Sequence, residues 1–377
     1  MNDRILVDLL SFTGNRGGTE TYAREIATRL PKHLPDVTFV ALTNRKGIDR
    51  VRSFFPGEVR LLRGVGADRV TWAAGEILGA NRAARRAGAG LVWCPANFGP
   101  LTSRVPRITT VHDVTYHEIG GGAVNRAIAR VTSSLMSRTA LTSAEIITGS
   151  KAAGEAIVRH IGVDRERIHV VPHGTNEPPA VERPWADLDA LGIRKGRPLV
   201  LSTGNRLSHK NFEGLLRAIA AIPAVERPVT VITGGGAEDP LVPLVTSLGL
   251  GGDVVLPGWV STAQLEALYA AAELYVCPSL AEGFGLPVID AMRRDCVVLA
   301  NDIPVLREVG GAAALYTDAQ SPAALSTALS AALRDPNGER RRAEGRAWSA
   351  QFTWDASAAA TARVLRKALS SSKPVAS

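Results

Sequence analysis

Leu274-Tyr-Val-Cys-Pro-Ser-Leu-Ala-Glu-Gly-Phe-Gly-Leu-Pro-Val-Ile-Asp-Ala-Met292 decides how the rest of the chain is read. Leu274 to Cys277 is a short apolar run, closed by Pro278, and predicts a buried strand. Pro287 to Met292 predicts a helix that opens with proline in its first turn. Between them, Gly283 and Gly285 allow positive φ and a close approach of backbone to a ligand. A strand, a glycine turn and a helix N-terminus make a general anion-binding arrangement. Glu282 precedes the turn and Asp290 follows eight residues later, two acceptors for hydroxyls beside amides for phosphate. The motif suits a ligand that is part phosphate and part sugar; the competing reading is a plain strand–turn–helix with surface acids.

The pattern recurs in both directions. Pro198 to Ser202 is a buried strand opening onto Gly204-Asn-Arg-Leu-Ser-His-Lys-Asn211, before a helix from Phe212 to Ala221. A glycine and two cations after a strand suit a diphosphate, with Arg206 gripping it bidentately and Lys210 as a point charge. Val229 to Gly236 and Val254 to Ser261 are further strands with glycine turns. Near the start, Arg4 to Ser11 is a strand that runs through Gly17-Gly18 into a helix spaced by Tyr22, Ile26 and Leu30. Strands follow at Val37–Leu42, Val59–Leu62, Leu91–Cys94, Ile108–Val111 and Ile146–Ser150. Alternating strand and helix predicts parallel sheets covered on both faces, with ligands gathering outside the carboxyl ends of the strands. His112-Asp113 stands at one such end, as a base with its orienter or half of a metal pair; no other ligand spacing accompanies it. Pro178, Pro179 and Pro184 mark a linker, so the domain boundary falls between about 174 and 196.

Composition narrows the class. Apolar residues are 45% and charged residues 21%, as in a globular protein of ample core. No apolar run reaches transmembrane length, and the first residues carry acids where a secretory segment would be apolar, so a cytoplasmic location is expected. Cys94, Cys277 and Cys296 lack metal or disulfide spacing and read as buried thiols. The net charge of +8 lies wholly in residues 1–180, which hold 24 Lys+Arg against 16 Asp+Glu, leaving 20 against 20 beyond. Aromatic content of 5%, without a basic aromatic strand, excludes a nucleic-acid partner. Arg126, Arg130 and Arg138 among Ile128, Val131, Leu135 and Met136 form a basic amphipathic segment at 123–139. It suits peripheral contact with an anionic membrane and core packing equally well.

Glu282 and Asp290, Lys210-Asn211, His112-Asp113, Gly17-Gly18 and Val171-Pro-His-Gly174, in that order of weight and each near a strand end, resemble the family 4 retaining glycosyltransferases. This chain has Asp290 where the family's Glu-x7-Glu signature has its second Glu. It also places Asn205, rather than the family's Arg, five residues before Lys210. The resemblance implies the GT-B fold, two Rossmann-like doubly wound domains facing across a cleft. Residues 1–178 would bind acceptor, 179–352 would bind nucleotide sugar, and a terminal helix in 353–377 would cross back to the first domain. It implies transfer of a hexose, from GDP-mannose or otherwise a UDP-hexose, to a glycan or lipid-linked oligosaccharide, as in bacterial surface polysaccharide or O-antigen assembly. No metal or other cofactor is expected. Glu282, His112, Lys210 and Arg206 would be catalytic. Gly17, Gly18, Asn205, Val260, Gly283, Phe284, Gly285, Leu286 and Asp290 would bind the donor, and Asp113 and Tyr116 would lie on the acceptor side. A non-catalytic scaffold and a nucleotide-sugar epimerase are the competing readings on the same fold.

Overall fold

The structure is a computed structural model that describes residues 3–14, 17–66, 71–72, 75, 79–114 and 123–371. The chain packs into two compact units, Met1–Gly174 together with Thr353–Ser377, and Thr175–Phe352.

Among its described residues the first unit holds seven parallel strands: β1 (Asp3–Leu9), β2 (Val37–Thr43), β3 (Glu58–Leu61), β4 (Leu91–Cys94), β5 (Arg107–Thr110), β6 (Glu145–Thr148) and β7 (Ile168–Val170). They lie in the order β3-β2-β1-β4-β5-β6-β7. Every residue of β4 is buried, which is why it reads as a continuous apolar run rather than an alternation. The helix Gly17–His33 buries Tyr22, Ile26 and Leu30 along one stripe, as their spacing predicts. The helix Ala123–Thr142 covers the basic amphipathic segment. From Arg130 onward, Met136 and Ala140 are buried with Val111 and Ile146, while Arg130, Val131 and Arg138 face outward. The terminal helix Trp354–Ser371 belongs to this unit and packs against Gly17–His33. Among the described residues no helix is long and apolar enough to cross a membrane.

The second unit repeats the plan with six parallel strands: β8 (Leu199–Thr203), β9 (Val229–Thr233), β10 (Val254–Val255), β11 (Leu274–Cys277), β12 (Val297–Asn301) and β13 (Leu315–Thr317). Their order is β10-β9-β8-β11-β12-β13. The chain winds outward in one direction from β8 and in the other from β11. Those two strands pair directly, with Leu274 beside Val200 and Tyr275 beside Leu201. The reversal makes β8/β11 the switch point, where the loops beyond the strand ends diverge and leave a crevice. In the first unit β1 and β4 stand in the same relation.

The stretch 174–196 is not a free linker. From Thr175 onward it is part of the second unit, and Pro184 opens a helix, Pro184–Asp189, whose Leu188 is buried. Proline at the first helical position loses no hydrogen bond, so a residue that marks a break in sequence here starts an element. Cys94, Cys277 and Cys296 are buried and, among the described residues, form no disulfide.

Candidate functional site

The switch point of the second unit brings the loop after β8 against the loop after β11. Ser208–Lys210 forms a single 3-10 turn that ends at Asn211 with φ of 53°. Asn211 is fixed there by donating its amide to the Ala319 carbonyl at 2.8 Å. The turn presents Lys210 to Glu282, and Nζ donates to Oε1 at 2.6 Å. Both side chains are largely buried, 15% and 11% exposed, so the pair is little screened by water. Burial works to raise the Glu282 carboxyl, but the adjacent Lys210 charge, with Ser279 and His209, holds it below its ordinary value. Glu282 is therefore an anion at neutral pH, with a cation in contact.

Beyond Glu282 the chain turns through Gly283 and Gly285 into the helix Leu286–Arg293, with Pro287 in its first turn. Gly285 has φ of 95°, and a Cβ there would lie 2.8 Å from Leu306 Cδ2, so glycine is required on two counts. Phe284 is buried and meets the Phe352 ring edge-on at 5.9 Å. Its ring is packed inside the unit, which leaves the backbone as its contact for donor. Val260 is half-buried between exposed Trp259 and Ser261, which caps the next helix through a capping box with Gln264. Asn205 is exposed.

Two residues expected at the donor have protein partners here. Arg206 does not stand ready for a phosphate, because its side chain is 8% exposed and bound to Asp239, itself 5% exposed. All of its donors are engaged within the unit, at Asp239 and at the carbonyls of Gly204, Ile232 and Thr233. Asp290, expected to hold ribose hydroxyls, accepts a hydrogen bond from Thr175 and lies 3.5 Å from Arg294 through the same oxygen. Burial raises its carboxyl above the ordinary value in spite of Arg294 and Thr175. The shorter aspartate thus sits inside a local network, completed by Arg294 donating twice to Glu266 at 2.7 Å.

In the first unit, Gly17 and Gly18 open the long helix and are exposed; a Cβ on Gly17 would meet nothing within 4 Å. The preceding loop is held by a residue that the pattern did not single out. Glu20, buried, accepts from the Thr13 amide at 2.7 Å, the Thr13 hydroxyl at 3.0 Å and the Gly14 amide at 2.7 Å. His112 is also buried, and both ring nitrogens are occupied. Its Nε2 faces the Pro95 carbonyl at 2.7 Å and so carries the proton, which leaves Nδ1 to accept from His173 Nε2 at 3.3 Å. The Tyr22 ring lies 4.9 Å from His112 and 4.6 Å from His173, and Trp354 stacks on His173 at 6.2 Å. Burial lowers His112 below its ordinary value against the pull of Pro95 and Asp113. Burial, with His112 alongside, takes His173 well below. The pair is neutral and engaged, so the His112 ring is not a free base. Its amide donates to Asn97 Oδ1 at 2.6 Å, and Asn97 takes φ of 62° to offer that oxygen. Asp113 follows, half-buried; Tyr116 lies outside the described residues.

His173, Asn97, Asp239 and Glu20 are the residues that sequence reading missed. His173 lies in the Val171-Pro-His-Gly174 segment that carries part of the resemblance, but no neighbour in sequence points to His112. Among the described residues no three of His, Cys, Asp and Glu converge.

Comparison with known proteins follows the two units. Residues 16–177 match the model "Glycosyltransferase Family 4" and residues 185–347 match "Glycosyl transferases group 1". An MMP alpha-(1->4)-mannosyltransferase of Mycolicibacterium hassiacum is 30% identical over 62% of this chain and 57% of its own length. O-antigen chain mannosyltransferase B of Escherichia coli is 35% identical over 41% of this chain and 42% of its own. The chain thus spans about half the length of these relatives. Among solved structures, the sucrose-phosphate synthase of Thermosynechococcus elongatus superposes with a TM-score of 0.78 at 20% identity, covering 98% of this chain and 100% of its own. Anabaena HepE in complex with UDP and glucose gives 0.77 at 19%, covering 97% and 100%. At such identities the structures speak for the fold alone.

Proposed function

This chain belongs to the family 4 glycosyltransferases, and from that premise we propose that it moves a hexosyl group from a nucleotide sugar to an acceptor hydroxyl, with retention and without a metal. The observation that carries the reading is the Lys210–Glu282 contact at 2.6 Å, set at the switch point of the second unit and followed by the Gly285 turn into a helix N-terminus. Departure of a nucleoside diphosphate needs positive charge and oriented dipoles at the leaving oxygen. Lys210 supplies the first, and the Gly285–Leu286 turn, at a helix N-terminus, supplies the second. When the diphosphate arrives, Lys210 transfers its hydrogen bond from Glu282 to phosphate. Glu282, already ionised, then accepts from sugar hydroxyls and faces the cationic sugar of the transition state. The bond between anomeric carbon and phosphate oxygen breaks, its electron pair staying on the phosphate. The acceptor oxygen bonds to the same face of the sugar, and its proton passes to the departing phosphate.

The mannosyl-transferring relatives favour GDP-mannose as donor. A UDP-hexose is the second reading. The O-antigen relatives point to a glycan or lipid-linked oligosaccharide acceptor, hence to bacterial surface polysaccharide assembly at the inner membrane face. Thermal melting with GDP, UDP, ADP and dTDP, chelator present throughout, tests this. Stabilisation by GDP alone, lost in Lys210→Ala, is expected; stabilisation by UDP instead moves the donor to a UDP-hexose. A folded protein that no nucleotide stabilises would be a scaffold. Turnover of donor to an epimer without acceptor would make it an epimerase.

A further inference from the structure

Arg206 and Asp239 join the loops that follow two neighbouring strands, β8 and β9. A guanidinium has five N–H groups, and here each has a protein acceptor. Nε lies 3.0 Å from both Asp239 oxygens, and Nη2 donates to Asp239 Oδ2 at 2.7 Å and to the Ile232 carbonyl at 2.9 Å. Nη1 donates to the carbonyls of Gly204 and Thr233, each at 3.0 Å. The loop after β8 and the end of β9 are thereby bound to the far end of the loop after β9, where Asp239 also accepts from the Leu241 amide at 3.1 Å. The Gly234 amide donates to the Gly258 carbonyl at 2.8 Å, which carries the connection to the loop after β10. The glycines between fit around the pair. A Cβ on Gly234 would lie 2.4 Å from the Gly204 carbonyl oxygen, and one on Gly235 would lie 2.0 Å from Asp239 Oδ2.

We propose that Arg206 and Asp239 are a positioning pair that holds the strand-end loops of the second unit in their nucleotide-binding arrangement, without either touching the nucleotide. The inference rests on the donor reading above. Arg206 also stands just ahead of the turn that delivers Lys210, whose amide donates to the Leu207 carbonyl at 3.0 Å. The direct charge on the diphosphate then falls to Lys210, and Arg206 acts through where that turn starts. Lysine cannot replace it, because one ammonium with three protons has no planar fork to meet a carboxylate and three carbonyls together.

The test is nucleotide affinity by calorimetry, with donor KM, acceptor KM and kcat, for Arg206→Lys and Gly235→Ala. Gly252→Ala, whose Cβ would meet open space, is the control. Arg206→Lys is expected to raise the nucleotide Kd and the donor KM at least tenfold, leaving acceptor KM and kcat at saturating donor within twofold. Gly235→Ala keeps both charges but intrudes on Asp239, and is expected to do the same. If Gly235→Ala binds like the parent while Arg206→Lys loses affinity, Arg206 is a direct ligand and the proposal is wrong. Parental affinity in a folded Arg206→Lys overturns it as well, as does an equal loss in acceptor KM and kcat. A parent protein that binds no nucleotide sinks the donor reading, and this inference with it.

Discussion

Lys210 and Glu282 depend on each other, and that sets what either substitution does. Lys210→Ala leaves an ionised, buried Glu282 without its cation and takes the point charge from the leaving diphosphate. A loss in kcat/KM on the order of 10²–10³ is expected, the range for a lost donor at a developing anion, and steady-state transfer kinetics measure it. Removing one partner of a buried pair also destabilises by roughly 3–5 kcal/mol, so Lys210→Ala should unfold at lower denaturant. The histidines give a residue-scale prediction in pH. Their folded-state values are lowered, so between those values and the ordinary one near 6.5 the unfolded chain binds protons that the native state does not. Stability of the first unit is therefore full above about pH 6.5 and falls as pH drops, by up to about 1.4 kcal/mol per pH unit for each histidine. Melting temperature followed from pH 7.5 to 5 checks it. His173→Asn, which removes the more strongly shifted group, should flatten the slope; an unchanged slope would show that the pair does not carry the effect.

At the scale of an element, the turn from β11 into the helix Leu286–Arg293 leaves little conformational freedom at Gly285. Gly285→Ala would need a left-handed alanine and a displaced Leu306. Strain of this kind costs about 1–3 kcal/mol, and equilibrium denaturation is expected to show a loss of that size, with nucleotide affinity falling because the turn's amides are re-aimed. Unchanged affinity in the folded variant would separate these amides from the donor. Elements also differ in how plainly a sequence announces them. Leu274–Cys277 and Leu91–Cys94 are continuous apolar runs because a central parallel strand is buried on both faces. Gly338–Ser349 is equally helical, yet of its residues only Gly345 and Ser349 are buried, so no apolar stripe marks it. Ala80–Ala87 buries only alanines and turns its arginines outward, with the same result.

At the scale of the molecule, the first unit is discontinuous and the second is not. The terminal helix buries Trp354, Leu365 and Leu369 in the first unit, and Trp354 stacks on His173. Residues 175–352 expressed alone are expected to fold cooperatively and to keep the Lys210-dependent nucleotide affinity. Residues 1–174 alone are expected to lack a cooperative melt until 353–371 are supplied. Circular dichroism melts of the fragments decide it, and a cooperative 1–174 would show that the helix only decorates the unit. The parallel strands, the glycine turns that follow them and the family were legible in the residues alone, because these rest on local periodicity and on residue types with few allowed conformations. What the polar side chains bind was not, because it depends on contacts far apart in the chain. Arg206 meets an acid 33 residues away, His112 a histidine 61 away and Asp290 a hydroxyl 115 away. A motif shows that a cation or a base is present at a strand end. Whether that group stays available to a ligand depends on which distant chain segments the sheet brings beside it.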